Sequence, residues 1–475
     1  MAGFKEYEDF DALGLAALVR RKQVKPEELL EAAIERVERL NPKINAVCHA
    51  FHDEARRCIA AGLPVGPLSG VPYLLKDLYA LYAGQPTSNG SRFFQGFVAD
   101  HDSTLTARLK AAGLVIFGKT NTPEFGLSTT TAPALFGPSR NPWSLMHSTG
   151  GSSGGAAAAV AARLLPAAHA TDGGGSIRVP ASCCGLYGLK PTRGRNPAGP
   201  DVGEGWAGMS AAHAVTLSVR DSAALLDATA GPAMGDPYWA PPAGRRFLEA
   251  LDEPRPRLRI AVMTQAPADV PVHPACKAAV EDTARLLADL GHHVEVAAPR
   301  FDAGQLRRAA RDIICANVRN TLEMRAKTLG REPRADDVEA ITWAQAEQGR
   351  RLSGADYAQA TQTVHRISRQ IQAFFERYDL LLTPTLAEPP LRLGELSMAS
   401  TDLPAYLKRL LQFTPFAAMF NATGQPAASL PLAWSADGLP IGVQLVARFG
   451  DEASLLKVSA ELEEARPWFD RRPPL

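Results

Sequence analysis

Residues 258–298 read LRIAVMTQAPADVPVHPACKAAVEDTARLLADLGHHVEVAA. The run 258–263 is apolar and of strand length. Cys276, Ala279, Val280, Thr283, Leu287 and Leu290 then recur at the spacing that lines one face of a helix. Gly291 suits the end of that helix, and 292–298 reads as a second strand. A strand, a helix and a strand in succession imply a parallel strand pair and an α/β fold. The same alternation appears elsewhere. Residues 103–112 read as a helix, Gly113 as its cap and 114–117 as a buried strand, and 380–383 reads as a strand ended by Pro384. Near the N-terminus Pro26 suits a first helical position. Leu30, Ala33, Ile34 and Val37 follow at helical spacing, and Asn41-Pro42 is expected to stop the helix.

Bulk properties narrow the function. The chain has 475 residues, 46% of them apolar and 21% charged, as in an ordinary soluble enzyme. Its 51 basic and 50 acidic residues leave a net charge of +1, so no field for nucleic acid or a membrane surface is implied. An uncharged or weakly charged small substrate fits that balance. The start, MAGFKEYEDFDALG, is too acidic and polar for a signal peptide. The apolar stretch 156–162 is far short of the roughly 20 residues of a membrane helix, so a cytoplasmic location is expected. Six cysteines are scattered without a Cys-x-x-Cys pair or zinc-like spacing, and read as free buried thiols. Residues 194–245 are rich in Gly, Pro and Ala with weak periodicity and are expected to form ordered loops over the active-site face. With no evident linker or repeat, 1–475 reads as one domain.

The chemistry concentrates in 148–193, STGGSSGGAAAAVAARLLPAAHATDGGGSIRVPASCCGLYGLKPTR. Two glycine-rich turns bracket a helix of very small residues and a short strand. Ser152 and Ser153 sit in the first turn. The second is Asp172-Gly173-Gly174-Gly175-Ser176, and a run of glycines before a serine lets N–H groups converge on an oxyanion beside its hydroxyl. A serine nucleophile needs a base. None of the ten histidines lies in an obvious triad context. Lys76, after the apolar run in SGVPYLLKD, suits a lysine held neutral by burial.

These motifs in this order resemble the amidase signature family: GVPYLLKD, FGKTNTPEFG, GGSSGG, DGGGSIRVPAS with its serine 24 residues after Ser152, GLKPT, FTPFAAMFNATGQPAASLP and DGLPIGVQ. The resemblance runs from about residue 10 to about residue 470, with a signature core at about 65–195. It implies one α/β/α sandwich around a mixed, mostly parallel central sheet. It also implies Ser176 as nucleophile, Ser152 on a cis peptide as proton relay, and Lys76 as base. The N–H groups of Gly173, Gly174, Gly175 and Ser176 would form the oxyanion hole. Gly126, Leu127 and Ser128 would contact substrate, and Ser153, Asp172 and Arg178 would support the site. No metal or organic cofactor is implied. Within the family, GVPYLLKDL, the RNPW at 140–143 and the ending around Pro467-Trp468 resemble small-amide and cyclic-amide hydrolases. Aryl amides, esters and carbamates, a urethanase activity among them, share the acyl chemistry. A homodimer is a guess from the family.

Other readings stand beside this one. A GGSSGG turn alone fits a flexible loop, and Lys76 beside Asp77 fits a surface ion pair. Gly113 to Thr120 matches P-loop spacing, but its intervening residues are apolar strand residues. Cys183, Cys184 and Cys315 read as packing. Trp143, Trp206, Trp239, Trp343 and Phe416 are all candidates to line an acyl pocket. A transamidating subunit of a tRNA-dependent amidotransferase would need an electropositive surface that the charge balance does not suggest. A non-catalytic binding protein would not need both serines and the lysine.

Overall fold

The computed structural model describes residues 4–475. Eleven strands form one sheet. Their spatial order is Val47–Ala50, Val115–Thr120, Pro72–Lys76, Ala167–Asp172, Ala211–Thr216, Tyr187–Lys190, Ala427–Trp434, Pro440–Ala447, Leu380–Pro384, Arg259–Val262 and His293–Val296. The expected βαβ unit is present: Arg259–Val262 and His293–Val296 pair in parallel, joined through the helix Pro274–Asp289. That helix buries Cys276, Ala279, Val280, Thr283 and Leu287, the face read from the sequence. Leu380–Pro384 joins it in parallel on the other side. Among the described residues no helix is long and apolar enough to cross a membrane.

The sheet is mixed, as expected, but its balance differs from the mostly parallel one anticipated. Four neighbouring pairs are parallel and six antiparallel. The parallel pairs lie toward the two ends, where helical crossovers connect strands. The middle is antiparallel, and one of its strands falls inside the stretch read as loops. Ala211–Thr216 is an inner strand between Ala167–Asp172 and Tyr187–Lys190. A helix, Val219–Thr229, follows it and is capped by Ser218 Oγ, which accepts from Asp221 N. The strand sequence AAHAVT consists largely of alanine, whose weak β propensity hides it from sequence inspection. The first long helix also runs further than expected, from Pro26 to Ile44 through Pro42. Asn41 fixes where it ends. Its Oδ1 accepts from Ala46 N and Val47 N, and its carbonyl accepts from Asn45 N, closing the end in a left-handed residue.

Val115–Thr120, Pro72–Lys76 and Ala167–Asp172 run parallel to one another. Their carboxyl ends therefore carry Thr120, Lys76 and Asp172 to one edge of the sheet, where α/β folds bind ligands. The P-loop-like segment is consumed by the first of these strands, every residue of which is buried. The helix Gly154–Ala161 packs beside them and is buried on all sides, because Gly and Ala let its backbone approach its neighbours. At Gly155 the approach is closest: an added Cβ would lie 2.5 Å from both N and O of Asn121. Gly155→Ala is expected to cost about 1–3 kcal/mol of stability by overpacking. Urea unfolding checks this, and an unchanged midpoint would contradict the close approach.

Candidate active site

Lys76 is the last residue of its strand and wholly buried. Its Nζ lies 2.7 Å from Ser152 Oγ and 2.8 Å from Thr171 Oγ1. Its backbone N–H donates to His169 Nδ1 at 3.2 Å. His169 and Thr171 are two apart on one strand, so both side chains face Lys76. Burial pushes the Lys76 ammonium well below the ordinary lysine value, against a smaller opposing pull from the Asp172 charge. Burial, with Lys76 and other nearby positive charges, likewise lowers His169 to about 3. A neutral amine has one lone pair and two N–H groups. Between two hydroxyls it can accept from one and donate to the other.

Ser152 and Ser153 lie in the turn before the buried helix, with the Gly151–Ser152 peptide bond cis. Gly150 is left-handed (φ +72°), and a Cβ there would meet Pro180 Cα at 2.9 Å and Cys183 Sγ at 3.0 Å. Ser153 N–H donates to Ser176 O at 3.2 Å. Pro180 accounts for that bond. It stands four residues after Ser176 and has no N–H, so the helix Arg178–Cys184 leaves the Ser176 carbonyl without the usual intrahelical donor. The two serine turns are thereby tied together. Ser153 Oγ also bridges to Thr171, whose N and O both lie 3.2 Å away. Ser176 itself is half-buried, while Ser152 and Ser153 are buried.

Asp172 holds the glycine turn in shape. Its Oδ1 accepts from Gly175 N at 2.7 Å, and its Oδ2 accepts from Ile177 N at 3.1 Å. Arg178 forms a two-point ion pair with it, 2.9 Å at each contact. Arg178 donates further to Ala417 O, Gln444 Oε1 and Asn421 Oδ1. Burial alone would raise the Asp172 carboxyl. The Arg178 charge and hydrogen bonds outweigh it and hold the group well below the usual carboxylate range. Gly175 must therefore be struck from the expected oxyanion donors, since its N–H is committed to Asp172. The N–H groups of Gly173, Gly174 and Ser176 have no acceptor among the described residues. A side chain begun at Gly174 would meet nothing within 4 Å.

Gly126 closes the far side of Ser152. It has φ +70°, and a Cβ there would lie 3.1 Å from Ser152 Oγ and 2.9 Å from Leu78 Cδ2. Leu127 and Ser128 are buried behind it. Leu127 O accepts from Tyr406 OH at 3.2 Å, Ser128 Oγ bonds Thr130 Oγ1 at 3.0 Å, and Ser128 O would meet a Gly151 Cβ at 2.9 Å. Sequence reasoning missed Thr171, Tyr406 and Asn421. Thr171 was findable from strand alternation with His169. Tyr406 and Asn421 come from distant helices with no local signal. Cys183 and Cys184 are buried and their thiols pushed up by desolvation. Cys315 is raised to about 12 by burial and lies near Gln348. Away from the site, donor atoms of Cys48, His49 and Asp77 lie within 4.8 Å of one another. That cluster is poorly suited to a cation, because both Asp77 oxygens bond Ser88 and the Lys119 charge acts on both Asp77 and Cys48.

The Amidase family profile matches residues 28–456. The 6-aminohexanoate-cyclic-dimer hydrolase of Paenarthrobacter ureafaciens is 42% identical over 98% of this chain and 96% of its own length. A solved structure of a 6-aminohexanoate cyclic dimer hydrolase superposes with a TM-score of 0.94 at 40% identity, covering 98% of this chain and 99% of the other. A bacterial aryl acylamidase gives 0.88 at 29% identity, over 97% and 96%.

The depressed Lys76 pKa has a stability consequence. Between its folded value and about 10.4 in the unfolded chain, only the unfolded state holds the proton, so wild-type stability rises with pH across that window. Lys76→Met removes the rise. The difference in Tm, variant minus wild type, is expected to fall as the pH rises toward 10 in scanning calorimetry. A difference constant with pH would mean that Lys76 is not held neutral.

Proposed function

This chain belongs to the amidase signature family of hydrolases acting on amide carbon–nitrogen bonds, and we propose from that premise that Ser176, Ser152 and Lys76 cleave a small non-peptide amide through an acyl-enzyme. The observation that carries the reading is the contact of a fully buried Lys76 amine with Ser152 Oγ at 2.7 Å. A neutral amine there is a base, and Ser152 is its only route to a nucleophile in the neighbouring turn. In the first half-reaction Ser176 Oγ attacks the carbonyl carbon. Its proton passes to Ser152, and the Ser152 proton passes to Lys76. The developing oxyanion faces the uncommitted N–H groups of the glycine turn, Gly174 and Ser176 foremost. Collapse expels the amine, which takes its proton from Ser152 as Lys76 returns one. Water then attacks the ester on Ser176 by the same relay and releases the acid.

Thr171 fits this scheme as the acceptor of a Lys76 N–H, which aims the lone pair at Ser152. Asp172 and Arg178 neutralise one another, so no free charge faces the reacting bond. That environment suits an uncharged amide, linear, cyclic or aryl. The likeness to hydrolases of the 6-aminohexanoate cyclic dimer favours a cyclic or short aliphatic amide. Carbamates and esters are further substrates, since the acyl step is the same.

The test is release of amine and acid from a linear amide, a cyclic amide, an anilide, an ester and a carbamate. Ser176→Ala is expected to lose about 10³-fold or more in kcat on every substrate the wild type cleaves. Ser152→Ala should fall further on amides than on the matched ester, because an amine must be protonated to leave and the stabilised alkoxide or phenoxide of an activated ester need not be. Equal activity of Ser176→Ala and wild type would refute the assignment.

A further inference from the structure

Five aromatic residues were candidates for the acyl pocket, and the structure separates them. Trp143 donates its indole N–H to Cys184 O and packs on Trp434. Trp239 is largely exposed and bonds Asp236 O. Phe416 is completely buried, and Trp343 lies in the helix Ala340–Arg350. Trp206 is the one of the five whose ring is seen against the Gly173 position. A Cβ at Gly173 would lie 2.6 Å from its Cζ3 and 2.7 Å from its Cε3, so the indole rests on the Gly173 backbone. One residue further on, the position above Gly174 is open. Trp206 is half-buried and packs against both apolar clusters of the core.

The backbone that presents this ring is unusual. Trp206, Ala207 and Gly208 are all left-handed, with φ of +57°, +56° and +76°. Two of the three carry a Cβ, a conformation that costs energy and persists where the surroundings enforce it. The enforcing contacts are all visible. Gly208 N donates to Glu204 Oε2 at 2.5 Å, and Gly208 O accepts from Arg193 Nε at 2.6 Å. Met209 O accepts from Asn421 Nδ2 at 3.1 Å, and the same Nδ2 lies 2.9 Å from Asp172 O. The loop carrying the indole and the turn carrying the nucleophile therefore share one anchor.

We propose that Trp206 is a specificity-determining residue, the wall of the acyl subsite, and that the substrate is an amide whose carbonyl bears an uncharged aliphatic chain or flat ring lying against the indole. This rests on the amidase reading above. The amine must leave toward Ser152, which protonates it and which Gly126 flanks. The other substituent of the carbonyl then extends over the Gly173–Gly174 face, where the indole stands. A large, rigid, mostly apolar surface there favours burial of methylene groups or a ring face. Because the same ring braces the oxyanion turn, a bound acyl chain also aligns its own carbonyl, and the gain appears in kcat/KM.

The experiment measures kcat/KM of wild type, Trp206→Ala and Trp206→Phe on acetyl, hexanoyl and benzoyl anilides, and on hexanoyl amides of two different amines. For Trp206→Ala the expected result is a fall of about tenfold or more on the hexanoyl and benzoyl substrates and less than about threefold on the acetyl one. Trp206→Phe should lie between, and it carries the test alone if the alanine variant does not fold. An equal fall on all acyl groups would make Trp206 a structural brace only, and dependence on the amine instead of the acyl group would place it on the other side of the bond; either overturns the proposal, as does no change. If wild type cleaves nothing, the amidase reading fails and this proposal with it. If wild type is active, Ser176→Ala is dead and the Trp206 variants show no acyl preference, this proposal fails alone.

Discussion

The Asp172–Arg178 ion pair is the constraint on which the site depends. Both side chains are fully buried. A buried pair adds little net stability against the cost of taking two charges out of water, yet removing one partner typically costs about 3–5 kcal/mol. Its value here is geometric. Each Asp172 oxygen is saturated, one by Gly175 N and Arg178 and the other by Ile177 N and Arg178. The turn between them can take one shape only. That shape withdraws the Gly175 amide and leaves its neighbours free to face a substrate. Arg178 then extends the constraint to Gln444 and Asn421, so the turn is referenced to the opposite half of the sheet.

A second buried charge problem is solved in the opposite way. Among the described residues Lys76 bonds two hydroxyls and no carboxylate, with Asp172 acting only through its charge, and burial pushes its ammonium well below the ordinary lysine value. A lysine of this kind is a liability to the fold and an asset to the reaction, a trade that functional sites often make. Lys190 shows that burial alone does not make a site. It is lowered to about 7, chiefly by desolvation, but its Nζ is spent on Pro191 O and no serine stands beside it.

The parts of the molecule legible in the sequence are those with short-range causes. The helix Pro274–Asp289 announces itself through its apolar spacing, and the strand that follows through its glycine stop. The two serines, the glycine run and the lysine are legible because their residue types are rare in that arrangement. What escaped depends on pairings that residue types alone do not reveal. Ala211–Thr216 is a strand because its neighbours make it one, not because alanine prefers to be. The first long helix ends at Ile44 and not at Asn41-Pro42 because Asn41 bonds the residues that follow it. Gly175 looked like an oxyanion donor because sequence shows which amides are present and not which are already bonded.

The reach of Arg178 has a bearing on how the protein is made. Lys76, Ser152 and Ser176 are all synthesised early, but Gln444, one of the groups that fix the turn, follows Arg178 by 266 residues. At ribosomal rates of about 5–20 residues per second that is a delay of roughly 15–50 s. Through that interval the nascent chain holds both serine turns and Lys76 but lacks one anchor of the glycine turn. A product truncated before the last strands would carry every signature residue with that turn no longer tied to the far half of the sheet.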